Sequence, residues 1–229
     1  MSETPDTPPR PTALMFSGGK DSVAALQALA AEPSVELVSL VATIDAESRR
    51  VPIHDTRAEV LALQARSIGL PLEIIELPPV PDNRTYTEAV GEGLAPLAGR
   101  GIVDIAFGDL FLEDIRTWRE AQFETLPFRP VFPLWDTDRA RLADSLIDGG
   151  LEALICCIDS DALDESLLGR RWDHELLAGL PETVDPFGEN GEFHTLVVDG
   201  PSFSTPVRVR PGARRLSRGR FRTLDLRPG

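Results

Sequence analysis

Three features of the chain predict an α/β fold built on a doubly wound parallel sheet, with a smaller C-terminal α+β lobe. Apolar, β-branched runs alternate with segments of helical period. The runs are near-continuous, as in Val35-Glu36-Leu37-Val38-Ser39-Leu40-Val41, which suits strands covered on both faces. After about residue 180 the character changes: Pro, Gly and Asp dominate 181–191, and short strands follow at 193–199, 206–210 and 218–226.

The elements follow in order. Strands are predicted at 13–17, 35–43, 72–77, 102–107, 129–133 and 152–158. Helices are predicted at 21–31, 54–68, 85–98, 112–126, 137–148 and 164–178. The helix at 54–68 carries Ala58, Leu61, Ala62, Ala65 and Ile68 at helical spacing, then Gly69 and Pro71 as a stop signal. Residues 1–11 are polar, lack the basic start and apolar core of a signal peptide, and read as a disordered tail. The domain expectation is a nucleotide-binding unit over 12–133 and a substrate-binding lobe over 134–229.

The first apolar run, Ala13-Leu14-Met15-Phe16, passes directly into Ser17-Gly18-Gly19-Lys20-Asp21-Ser22 and a helical stretch. A strand, a glycine turn and a helix N-terminus together make an anion site, because backbone N–H groups and the helix end face the ligand. Of 23 basic residues Lys20 is the only lysine. A compact ammonium suits a tight phosphate turn where a guanidinium fork does not fit. The spacing is not that of the common nucleotide loop, Gly-x-x-x-x-Gly-Lys-Ser/Thr.

The net charge of −14 argues against a general nucleic-acid surface. The charge is uneven, since eight arginines and one acid, Asp225, fall within 208–229. Arg208 and Arg210 alternate with Val207 and Val209, and Pro211-Gly212 is expected to turn the chain into a charged edge hairpin; a phosphate- or RNA-binding patch is the other reading. Cys156 and Cys157 are adjacent, with no Cys-x-x-Cys, so they read as buried core residues and neither a zinc site nor an iron–sulfur cluster is expected. No apolar run approaches the ~18 residues of a membrane span, and the chain is expected to be cytoplasmic.

Three further segments could carry chemistry. Phe107-Gly108-Asp109 closes a predicted strand; Gly108 would allow close approach of a ligand and Asp109 could hold a metal or a hydroxyl. Arg116, Arg119 and Glu120 share one face of the next helix, as a solvated trio or as a substrate or phosphate site. Asp185 to Thr195 pairs an Asn190-Gly191 turn with Glu189, Glu192, His194 and Thr195 before an apolar strand; it is either a hairpin turn or a pocket for an amine or ammonia. His54 reads as a cap or packing residue, and His174 as solvated.

Ser-Gly-Gly-Lys-Asp-Ser resembles the PP-loop of the N-type ATP pyrophosphatases, which cut ATP between the α- and β-phosphates. Taken with Gln64-Ala65, Gly69-Leu70-Pro71-Leu72, Gly108-Asp109, Pro133-Leu134-Trp135, the Gly188 to Thr195 segment and Asp199-Gly200-Pro201, the chain resembles the diphthine–ammonia ligase family over about 13–203. The resemblance implies a nucleotide-binding lobe of the HUP type, ATP and Mg²⁺ as cofactors, and adenylation of a carboxylate acceptor followed by attack of ammonia. It would place the phosphates on Ser17, Gly18, Gly19, Lys20, Asp21 and Ser22, with Gly108 and Asp109 nearby. Lys20 would stabilise charge as pyrophosphate leaves, and Asp21 would help hold Mg²⁺. Glu189, Asn190, Gly191, Glu192, His194 and Thr195 would form the acceptor side. Asn190 and His194 depart from the family's late motif, which marks a related branch whose acceptor need not be diphthine. A tRNA-modifying PP-loop enzyme and a non-catalytic adenine-nucleotide module remain as alternatives, and self-association into a homodimer is left open.

Overall fold

The computed structural model describes residues 8–217 and 219–229. A five-stranded parallel sheet is formed by β1 (Arg10–Met15), β2 (Val35–Asp45), β3 (Leu72–Leu77), β4 (Asp104–Ala106) and β5 (Arg129–Val131), in the order β3-β2-β1-β4-β5. Helices α1 (Lys20–Ala30), α2 (Ala58–Ile68), α3 (Asn83–Ala98) and α4 (Glu113–Phe123) connect these strands. Ala13, Leu14, Leu40, Val41, Ile105 and Ala106 are wholly or almost wholly buried, as strands covered on both faces require. The strand order reverses between β1 and β4, and in such sheets ligands bind beyond the carboxyl ends of the strands at that point.

Local signals set the helix ends. Asp82 caps α3 by accepting from Thr85 N–H at 2.8 Å, and Asp138 caps α5 (Arg139–Asp148) by accepting from Arg141 N–H at 3.1 Å. Such caps contribute about 1 kcal/mol each. Gly69 ends α2 in the left-handed conformation, as its position predicts.

A second, antiparallel sheet holds β6 (Glu152–Asp159), β7 (Phe193–Asp199), β8 (Val209–Ser217) and β9 (Phe221–Pro228), in the order β7-β6-β9-β8. Its core is continuous with one side of the first sheet's core: Leu14, Leu61, Ile155, Phe187 and Leu196 belong to one buried cluster. Cys156 and Cys157 are buried in β6, as expected for core residues.

Several expectations are corrected. Residues 54–57 are not helical, because the preceding loop is committed to other bonds described below; α2 begins at Ala58. The helix expected at 164–178 is instead a single tight turn at Glu165–Leu167, an extended bridge at Arg171, and the short α6 (His174–Gly179). Gly169, at φ 88°, stops the first turn, and Asp173 caps α6 by accepting from Leu176 N–H. Pro211-Gly212 does not turn the chain. It lies inside β8 where the register with β9 shifts, and β8 continues to Ser217 at the edge of the sheet. β1 begins at Arg10 and takes in the last two residues of the segment expected as tail; Pro8 and Pro9 before it are exposed and irregular, and residues 1–7 lie outside the described residues.

Candidate functional site

The turn after β1 runs straight into α1. Gly18 adopts φ 79°, a left-handed conformation that favours glycine. Gly19 is the N-cap of α1 and supplies no side-chain bond, so the first turn of the helix keeps backbone donors for an anion. Ser22 Oγ donates to Gly19 O at 2.8 Å and tightens that turn.

Lys20 is 1 % exposed, an unusual place for a lysine without a purpose. Its Nζ lies 3.0 Å from Oδ1 and 3.2 Å from Oδ2 of Asp21, and about 5 Å from the ring centres of Phe187 (5.0 Å) and Phe193 (5.2 Å). The charge is thus held by one carboxylate and two aromatic faces.

β7 is bonded to this turn. Val197 N–H donates to Gly18 O at 2.9 Å, and Thr195 Oγ1 accepts Lys20 N–H at 3.0 Å. Gln64, fully buried on α2, spans the junction: its Nε2 donates to Gly18 O at 2.9 Å and to Val197 O at 2.6 Å. The Ser17–Ser22 turn and the late Gly188–Thr195 segment are therefore neighbours.

A cavity of about 370 Å³ opens beyond the carboxyl ends of β1 and β4. Ser17, Asp21, Ser22, Gly108, Asp109, Glu189 and His194 all line it. Met15, Phe16 and Val41 are among its apolar lining residues. Gly108 serves a close approach, but to protein: a Cβ there would come within 3.0 Å of the Asp21 backbone. Asp109 is engaged by Arg119, whose Nε and Nη2 reach it at 2.5 and 3.3 Å, and Arg119 stacks 4.3 Å from the Phe107 ring centre. Of the trio on α4, Arg119 alone joins the cavity wall; Arg116 and Glu120 pair with each other at 2.8 Å.

The late segment divides in two. Glu189 and His194 face the cavity. Glu192 is buried and its carboxylate accepts from Asp185 N–H at 2.9 Å, Asn190 N–H at 3.0 Å and Asn190 Nδ2 at 3.0 Å. Glu192 and Asn190 thus shape the turn through Gly191, and Thr195 lies behind the cavity wall on Lys20.

Electrostatics within the cavity are unusual. Burial, reinforced by Asp21 and opposed by Lys20, pushes the Glu189 carboxyl up to about 8. Burial, with His54 and Lys20 adding to it, holds His194 well below the ordinary histidine range. His54, whose ring centre lies 4.4 Å from that of His194, is pushed down to about 4 by burial and then by Lys20. Cys156 lies beneath both, its Sγ donating to His54 O at 3.5 Å and His194 O at 3.4 Å.

His54, Tyr86 and Arg119 complete the wall. Sequence reasoning took His54 as a cap or packing residue and did not mark Tyr86. Neither sits in a motif; only the fold brings them to the end of β1. Gln64 was visible as part of Gln64-Ala65, without a sign of what it bonds.

A glycine turn with a buried lysine at a helix start, at the switch point of a parallel sheet, makes an anion-binding turn at the ligand end of the sheet. The diphthamide synthase N-terminal domain matches residues 10–129 and the diphthamide synthase C-terminal domain matches residues 138–221. The chain belongs to the diphthamide synthase family. No curated protein matches it. Among solved structures it is similar to the U34-tRNA thiolase NcsA from Methanococcus maripaludis with its [4Fe-4S] cluster, at 16% identity and a TM-score of 0.40, over 61% of this chain and 58% of that one.

Proposed function

We propose that the protein is an AMP- and pyrophosphate-forming amide ligase, which adenylates a carboxylate acceptor and delivers ammonia to it. One observation carries the reading: the phosphate turn and the late acidic–histidine turn are bonded through β7 and face one cavity. Adenylation and amide formation need such near-contact geometry. Gly191 lies two residues from Phe193, whose ring centre is 5.2 Å from Lys20 Nζ, so no hinge motion is needed to bring the halves together.

ATP would place its phosphates on Ser17–Ser22, with Lys20 offsetting charge on the α-phosphate as pyrophosphate leaves. Asp21 fits a Mg²⁺ ligand: its Oδ1 is buried with an ion contact to Lys20 but no hydrogen bond, and Mg²⁺ commonly takes one or two carboxylates plus phosphate oxygens. The ion would offset phosphate charge. His194, held neutral, can accept a hydrogen bond from the attacking ammonia and so orient it. Glu189 can hydrogen-bond the incoming nitrogen or the acceptor.

Incubation with ATP, Mg²⁺, ammonia and a pool of carboxylate metabolites tests the reading. AMP, pyrophosphate and a new amide by mass spectrometry are expected. ADP and orthophosphate in an acceptor-dependent reaction would overturn it.

A further inference from the structure

Asp225 lies on β9, beyond the residues 138–221 that the C-terminal family domain matches. It has no exposed surface, yet it is a carboxylate. Arg50 Nη2 reaches it at 2.6 Å, Arg57 Nε and Nη2 at 2.7 and 3.0 Å, and Arg227 Nε at 2.7 Å. These guanidinium groups, Arg57 first, hold its carboxyl far below the ordinary range against the cost of burial.

Arg50 and Arg57 bracket the segment 51–56 between β2 and α2. Within it Asp55 O accepts from Arg50 Nη1 at 2.7 Å, and the Asp55 carboxylate takes the Thr223 hydroxyl of β9 at 3.0 Å. Arg49, Ile53 and Asp55 have φ of 58°, 70° and 58°, a left-handed backbone unfavourable for such residues. Surrounding bonds must over-determine a conformation of that kind. The same segment gives Val51, Pro52, Ile53 and His54 to the cavity wall. The His54 ring abuts the phosphate turn: a Cβ on Gly19 would stand 3.4 Å from its Cε1.

We propose that Asp225 is a positioning residue for the nucleotide cavity, fixing segment 51–56 through Arg50 and Arg57 so that His54 rests against the phosphate turn. The functional half of this rests on the reading of the cavity as the ATP site.

Asp225→Asn keeps the shape and removes the charge. Two readings are made well below its melting temperature, with folding checked by circular dichroism: backbone hydrogen exchange of peptides covering 49–57, and ATP affinity by calorimetry. We expect exchange there to quicken by about tenfold or more, and the Kd for ATP to rise by about tenfold, because small misplacements near a reacting centre are costly. A purely structural role would lower the melting temperature and leave the Kd of the folded variant unchanged; that result, or wild-type exchange in 49–57, overturns the proposal. If Asp225→Asn does not fold, Thr223→Val, which removes only the hydroxyl bond to Asp55, decides by the same two readings at about threefold. Failure of the wild-type protein to bind ATP overturns the reading of the cavity instead, and the exchange measurement still decides whether Asp225 holds the segment.

Discussion

The side-chain hydroxyl of Thr195 accepts the backbone N–H of Lys20 at 3.0 Å, across 175 positions of sequence. That bond places a residue of the second sheet on the first residue of α1. One backbone donor of the Ser17–Ser22 turn is thereby committed to protein.

Lys20→Ala should fold, bind ATP more weakly and lose turnover by about 100-fold or more, the scale of removing a preorganised charge-stabilising donor. Calorimetry and product assay check this. Unchanged ATP affinity in a folded variant would move the phosphates elsewhere.

Glu192 and His194 should separate cleanly. Glu192→Ala strands the buried Asp185 N–H and should cost about 1–3 kcal/mol in chemical denaturation, while water can take over the bonds of exposed Asn190. His194→Ala should change stability far less while product formation fails and ATP binding persists. Equal stability losses in the two variants would show His194 to be structural as well.

Glu189 makes the fold sensitive to alkali. Its folded-state value, about 8, lies above the ordinary carboxyl range. The stability of the neutral form is therefore full in mild acid and is lost as pH rises through about 8. Glu189→Gln keeps a neutral side chain at every pH. It should melt about 3 °C or more above wild type at about pH 9 and match it at about pH 4. Parallel melting curves across that range would contradict the assignment.

Gln64→Leu should cost about 1–3 kcal/mol, because it removes two buried hydrogen bonds and strands the Val197 carbonyl. The Gly18 carbonyl keeps its bond from Val197 N–H. Urea unfolding checks the loss; a value within about 0.5 kcal/mol of wild type would mean that Gln64 does not tie the turn to β7.

Much of this architecture was legible because its signals are contiguous. Ser17–Ser22 is one uninterrupted stretch, and Gly69 ends α2 where its position predicts. The roles of Gln64, His54 and Asp225 were not legible. Gln64 bonds a residue 133 positions away, and Arg57 meets Asp225 across 168; no local pattern encodes such a meeting. The start of α2 was misplaced for the same reason: His54 and Asp55 carry helix-compatible side chains, but tertiary bonds hold them in a loop. Glu192 misled in another way. A carboxylate beside a turn looks like a ligand group until its donors are counted, and the donors to Glu192 are Asp185 and Asn190 of the same turn.

The two thiols of β6 offer a clock for unfolding. Burial pushes Cys157 up to about 12 and Cys156 well above the ordinary thiol range, so neither is a ready nucleophile in the folded chain. Both sit at the centre of the molecule, Cys156 directly under the two cavity histidines. A thiol reagent added to intact protein should therefore react only as fast as that centre opens. Bound nucleotide should slow the reaction to the extent that it suppresses this opening, so the labelling rate would report occupancy through residues outside the cavity lining.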